Sequence, residues 1–185
     1  SDMPLGQPIW SAKFYNYYMD WLAGHGRWQL LEKTLKGKVP NIATDKAVHF
    51  YTKPSVKYNI GKLTDNSFGQ ENYHDSSWLG FENGKMVFEV DLDSVTDVNS
   101  IAVRLLQYAP ANIFLPKIID FYFSNDGITY WKAGTTLPDS FPNDHLDCWI
   151  DLGFIDKIKE SARYIKVVAS GNSDSWIFCD EIIVE

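Results

Sequence analysis

Along the first forty residues the apolar positions recur at three- and four-residue spacing. In AKFYNYYMDWLAG, Phe14, Tyr17, Tyr18, Trp21 and Leu22 share one face of a helix that Gly24 can end. In RWQLLEKTLKG, Trp28, Leu31 and Leu35 form a second stripe, with Gly37 as its stop. The spacing predicts a short helical segment over residues 1–40, either a hairpin packed on the rest of the chain or the tail of an upstream domain. His25, between two glycines, reads as a turn residue rather than a ligand. From NIATDKAVHFYTKPSVKYN onward the pattern changes to short strand-like runs separated by polar loops. MVFEVDL alternates, which directs Val87 and Val90 toward a core, and a turn is expected at DSVTDVNS. SIAVRLL, APANIFLP, KIIDFYFS, CWIDLG, ARYIKVVAS and WIFCDEIIVE come next, with a tight turn at NDG. Short strands at this spacing predict an all-β sandwich over residues 41–185.

Composition sharpens that picture. In 185 residues, 45% are hydrophobic and 22% charged, as in an ordinary globular chain. Seven Trp, ten Tyr and eleven Phe exceed what a core of this size absorbs, so some are expected to line a stacking surface. A β-rich fold also favours aromatic residues, which is the plainer explanation for any single one. The net charge of −7 makes nucleic acid and anionic membranes poor partners, since phosphate binding needs a basic face. No stretch is long and apolar enough to insert in a bilayer. The opening SDMPLGQP reads as a cloning remnant, so a longer parent protein is expected. Cys148 and Cys179 are too few for a disulfide framework. They could pair if their strands are neighbours, but buried free thiols are the expected state.

The order of motifs then becomes recognisable. KLTDN, WLGF, VFEVDL, VNSIAVRLL, IFLPKIIDFYFSNDGITY, ARYIKVVAS and DEIIVE resemble, in that order, the discoidin-like family, also called the coagulation factor 5/8 type C domain. That group includes the family 32 carbohydrate-binding modules with the galactose-binding-like fold. The resemblance covers roughly residues 45 to 185. It departs from the family at Asn66 and Asp93, where glycine is usual, and both residues accept turn conformations. The resemblance implies a jelly-roll sandwich of about eight strands with ligand loops at one end. It also implies a structural calcium ion held by Asp65 and Glu181, with backbone oxygens near Leu63, Ser67 and Asp180. The alternative for these two residues is a turn cap at Asp65 and a strand-end charge at Glu181.

Three loops carry the rings and polar groups that sugar recognition needs. The first supplies Tyr73, His74 and Asp75, the second Gln107, Tyr108 and Asn112, and the third Asn172 and Trp176. Trp78 is expected to pack against the sheet and Arg163 to form a structural ion pair. Alternation after SNDG turns Tyr130 inward and Trp131 outward. No nucleophile motif, metalloprotease helix or phosphate loop is present, and the four His residues lack metal-ligand spacing. The expectation is a monomeric, non-catalytic carbohydrate-binding module joined covalently to a catalytic domain in a secreted or cell-surface bacterial enzyme. The rivals are an adhesion module for a protein or lipid head group, with APANIF as its apolar tip, and a domain that braces a neighbouring catalytic unit.

Overall fold

The computed structural model describes residues 41–138 and 146–185; the helical expectation for residues 1–40 lies outside them. Nine strands are found among the described residues: β1 (Ala47–Phe50), β2 (Leu79–Phe81), β3 (Lys85–Val98), β4 (Ile101–Gln107), β5 (Ile118–Ser124), β6 (Tyr130–Thr136), β7 (Trp149–Ile155), β8 (Glu160–Ser170) and β9 (Ile177–Val184). They form two antiparallel sheets, one ordered β1-β3-β8-β5-β6 and the other β2-β9-β4-β7. The all-β sandwich is thus as expected, with one strand more than the resemblance implied.

The core lies between the sheets and is built by the period-two alternation of their strands. Phe88, Val90, Phe121, Phe123, Ile165 and Val167 enter it from the large sheet, and Val103, Leu105, Ile177 and Ile182 from the small one. Within MVFEVDL the inward set is Met86, Phe88, Val90 and Leu92; Val87 falls on the other face, one residue out of phase with Val90. The expected turn at DSVTDVNS is instead a bulge inside β3, where the pairing with β8 shifts between Asp91 and Thr96. Asp93 adopts φ 72° there, and its N–H donates to the Asp91 carboxylate at 2.8 Å. The same carboxylate receives a two-pronged grip from Arg163, at 2.9 and 3.0 Å, so Arg163 is the structural ion pair its motif suggested.

Two further expectations meet the structure differently. Trp131 pairs with Phe123 across β5 and β6 and turns toward the core, its ring edge-on to Phe123 at 6.0 Å. Tyr130 therefore faces the outside of the large sheet, where its hydroxyl donates to Glu89. The loop between β5 and β6 spans residues 125–129, so Tyr130 pairs with Ser124 and Trp131 with Phe123, which gives the two side chains the faces opposite to those the alternation assumed. Cys148 and Cys179 are free, as expected, with Cys179 buried and Cys148 half-buried: Cys148 lies just before β7, and β7 and β9 are on opposite sides of β4.

One turn decides how the sheets meet. Asn83 and Gly84, both at positive φ (61° and 58°), carry the chain from β2 in the small sheet to β3 in the large one. Gly84 donates to the Ser175 carbonyl at 2.7 Å and accepts from the Gly171 N–H at 2.8 Å, which clamps the 171–176 loop. A Cβ at residue 84 would stand 1.9 Å from the Asn172 carbonyl oxygen, in a conformation L side chains rarely adopt. Gly84→Ala is expected to destabilise the fold by about 2 kcal/mol or more in chemical denaturation. An unchanged midpoint would show that the clamp yields without cost.

Candidate ligand-binding site

Segment 59–78 runs along the outer face of the small sheet beside β9. Its carbonyl at Leu63 accepts the Ile182 N–H at 2.8 Å, and the Gly69 N–H donates to Asp180 at 2.7 Å. Arg104, projecting outward from β4 yet only 5% exposed, ion-pairs with Asp180. Its guanidinium lies 5.3 Å from the Phe68 ring centre and 5.2 Å from that of Trp78. Trp78, itself 1% exposed, donates its indole N–H to the Gln70 carbonyl at 2.9 Å, so it packs against the sheet as expected. Burial pushes the Asp180 carboxyl up to about 7, while Arg104 and the Gly69 N–H pull it back down.

Pinned in this way, the segment delivers Tyr73 and His74 to the end of the sandwich where β4 leads into Tyr108. The Tyr73 and Tyr108 rings stack at 5.5 Å with 23° between planes, and His74 lies 3.9 Å from Tyr73. Trp176 joins the same cluster through Phe178, at 5.9 Å. The three loops named from the sequence therefore converge. Their main chains are also tied: Trp176 donates to Asn112 at 2.9 Å, and Phe114 donates to Trp176 at 3.1 Å. His74 is exposed, and Tyr73, Tyr108 and Trp176 are half-buried, so each keeps part of its ring open to solvent.

The other named residues divide. Asn172 is exposed at the rim, and its carbonyl accepts from Ser175. Asp75 organises its own loop, accepting from the N–H groups of Ser77 and Gln70 at 2.9 and 3.2 Å; these backbone donors, Ser77 first, hold its carboxyl below the usual range. Asn112 takes the left-handed conformation at φ 60° and spends its amide on the Asp174 carbonyl at 2.6 Å. Gln107 ends β4 and is only 2% exposed, which removes it from direct ligand contact. It was named as part of a loop, but the β4 ladder extends through its pairing with Trp149. Likewise Ile113, within the segment named as an apolar tip, is 1% exposed and packs in the aromatic cluster.

Tyr58 was missed. It ends a short 3-10 turn, Val56–Tyr58, and stands 5.5 Å from Trp176 and 5.0 Å from Phe178. Lys57 hangs 5.0 Å above its ring. The KPSVKYN stretch fell within the region of short strands and polar loops without an element of its own, and its proline and serine were the signal for a turn.

Asp65 and Glu181 are brought to one side of the same segment. Glu181 has 0% exposure, and its carboxylate oxygens make no hydrogen bond of full geometry among the described residues, although the Asn66 backbone N–H is close enough to favour their charge. Burial, with Asp65 and Asp180 adding repulsion, pushes its carboxyl up to about 10. Asp65 is exposed and accepts from the Ser67 N–H at 3.0 Å, and Asn66 beside it takes φ 56°, the conformation glycine would supply. A buried carboxylate facing a second one is a donor set that a hard cation satisfies. No group of three or more His, Cys, Asp or Glu side chains is gathered among the described residues, so a calcium ion would need backbone carbonyls as well.

Two antiparallel sheets with loops converging at one end make a β-sandwich, a fold shared with solved structures of family 32 carbohydrate-binding modules. No protein-family model and no curated protein sequence matches the chain. Solved structures do. Chitosan-binding module 1 from a chitosanase/glucanase of Paenibacillus sp. IK-5 aligns at TM-score 0.58 and 16% identity, over 78% of this chain and 98% of that one. Module 2 of the same enzyme, in complex with chitotriose, aligns at 0.55 and 14%, over 78% and 98%. The first family 32 module of a family 31 glycoside hydrolase from Clostridium perfringens aligns at 0.55 and 18%, over 78% and 96%.

The buried ion pair yields a direct expectation. Asp180→Ala leaves the Arg104 cation buried beside two rings without its carboxylate, and is expected to cost about 3–5 kcal/mol in equilibrium unfolding. A loss below about 1 kcal/mol would show that water reaches Arg104 and that the pair does not hold segment 59–78.

Proposed function

We propose that this domain is a non-catalytic carbohydrate-binding module, and that its ligand lies on the ring cluster of Tyr73, His74, Tyr108, Trp176 and Tyr58. The observation that carries the reading is the convergence of these rings, from four separate stretches of chain, at one end of a rigid sandwich. Aromatic faces take the C–H surface of a sugar ring, while rim groups such as Asn172 and Lys57 answer its hydroxyls. The fold neighbour that holds chitotriose supports the same class of ligand. The work of such a module is targeting. Covalently linked to a catalytic domain in a secreted or surface bacterial enzyme, and monomeric, it would raise the local concentration of polysaccharide. Single-site affinity is expected at about 10 µM to 1 mM, since a shallow site mostly exchanges water hydrogen bonds for protein ones.

Calcium belongs to the proposal as a structural ion between Asp65 and Glu181, supported by the buried Glu181 carboxylate beside Asp65. The adhesion reading keeps one supporting observation: Val56 and Ile60, on either side of Tyr58, are 89% and 77% exposed. In that case Val56→Ser/Ile60→Ser would abolish capture of a protein ligand while leaving sugar titrations unaltered.

Titration with a panel of oligosaccharides tests the main reading. Tyr108→Ala and His74→Ala are expected to weaken binding by about 1 kcal/mol or more, roughly fivefold, with melting curves retained. Salt should have little effect on a neutral sugar. Full affinity in both variants would move the site elsewhere, and a steep loss in salt would indicate a charged partner.

The calcium proposal predicts that chelation lowers the melting temperature and that Asp65→Ala removes the sensitivity. The pH dependence comes from Glu181, whose carboxyl stands at about 10 in the fold against 4.5 ordinarily. Without a cation the folded chain keeps a proton that the unfolded chain releases. Stability in chelator is therefore fully present below about pH 4.5 and declines as pH rises toward about 10. Calcium, which favours the carboxylate, should flatten that decline, and Glu181→Gln should leave only the part below about pH 7 that the raised Asp180 carboxyl contributes. Melts across this range, superimposable with and without calcium, would leave Asp65 as a turn cap.

A further inference from the structure

Strands β4 (IAVRLLQ) and β9 (IFCDEIIV) are buried at every position, the pattern of strands covered on both faces. The sandwich core covers one face. On the other, segment 59–78 with its Trp78 covers the half that holds Arg104, Leu106 and Phe178. The remaining half carries a separate apolar cluster. Ile183, Ala102 and Phe154 lie in one row across β9, β4 and β7, with Leu152 beside them. Ala102 and Ile183 are 0% exposed and Leu152 is 5% exposed, yet among the described residues their cluster contains only one another and Phe154. Apolar side chains on the outside of a sheet reach such values only under a cover.

We propose that this face is a docking surface and that its occupant is the chain's own residues 1–40. The first argument is where that segment joins the fold. Asn41 is tied to β9 at the cluster itself: its side chain accepts the Val184 N–H at 2.9 Å and donates to the Ile182 carbonyl at 3.1 Å, on either side of Ile183. The second is composition. The stripes Phe14, Tyr17, Tyr18, Trp21, Leu22 and Trp28, Leu31, Leu35 supply apolar surface of the size the row calls for. A helical run of a dozen residues is about 18 Å long, enough to cross four strands spaced about 4.8 Å apart. Ala102, small and central between Ile183 and Phe154, leaves the shallow hollow that a bulky ring fills. Residues 139–145, DSFPNDH, are a poor alternative: they carry one large apolar side chain and lead into β7 at Trp149, the end away from Phe154.

The test is hydrogen exchange on the full chain, read by peptide, in wild type and in Leu152→Glu. In wild type the amides of residues 14–35 should exchange on the order of a hundredfold more slowly than in an unstructured peptide. In Leu152→Glu, on edge strand β7, they should approach unstructured rates while β3 and β8 in the far sheet keep their protection. Should Leu152→Glu expose β3 and β8 as well, Trp28→Ser/Leu31→Ser, altered only in the segment, decides: it should raise anilinonaphthalene sulfonate fluorescence as the face uncovers. The proposal is overturned if residues 14–35 exchange freely in wild type, if their protection survives Leu152→Glu, or if the double variant binds no extra dye. It is also overturned if sedimentation shows a dimer that Leu152→Glu dissociates, for then a second copy covers the face.

Discussion

Arg104 and Asp180 form an ion pair on the outer side of the small sheet, where neither residue has appreciable contact with water. Such a pair gains little net stability by itself, because desolvation offsets much of the attraction. Its effect is positional. Asp180 also receives the Gly69 N–H, and the Arg104 guanidinium lies close to Phe68 and Trp78, so one buried contact fixes three points of a long irregular segment. Gly69 shows how tight this is: a Cβ there would come within 2.2 Å of the Trp78 indole nitrogen. A segment of such length without regular structure would otherwise sample many conformations. Held at its middle, it presents Tyr73 and His74 in one place.

The same segment serves two ends. Toward the loops it supplies half of the aromatic cluster, and toward the C-terminal end of β9 it brings Asp65 near Glu181. Both rest on β9, which alternates between core residues and outward groups that meet the segment: Phe178 under Tyr73, Asp180 under Gly69, Glu181 near Asp65. The register of β9 against β4 slips between Arg104 and Leu105. That irregularity lets the adjacent residues Asp180 and Glu181 both avoid the apolar core while Cys179 and Ile182 stay within it. Ring cluster and carboxylate site therefore share one strand and one loop.

The strand content, the sandwich, the packing of Trp78 against the sheet and the Arg163 ion pair were legible in the sequence, because each stems from local alternation or from motif order along the chain. The misjudged positions share a cause. Val87 against Val90, and Tyr130 against Trp131, are parity questions, and parity depends on where a turn or bulge inserts a residue. Gln107 looked like a loop residue because nothing local marks how far a ladder extends. Asp75 and Asn112 looked like free polar groups because their partners are backbone atoms of turns that exist only once the loops are folded.

What the sequence by itself determined is the class of the fold: alternation and turn residues are short-range properties, and they leave an antiparallel sandwich as the consistent arrangement. Which of those residues meet at the site was decided only by tertiary structure. Tyr58, Tyr73, Tyr108 and Trp176 come from separate stretches of the chain, and no periodicity relates them. They come together because the strand order β2-β9-β4 places their loops side by side and because a buried arginine holds the longest of those loops down. Contacts of that kind depend on long-range pairing and on the few ångströms by which a sheet slips or bulges, neither of which is written in any local stretch of the chain.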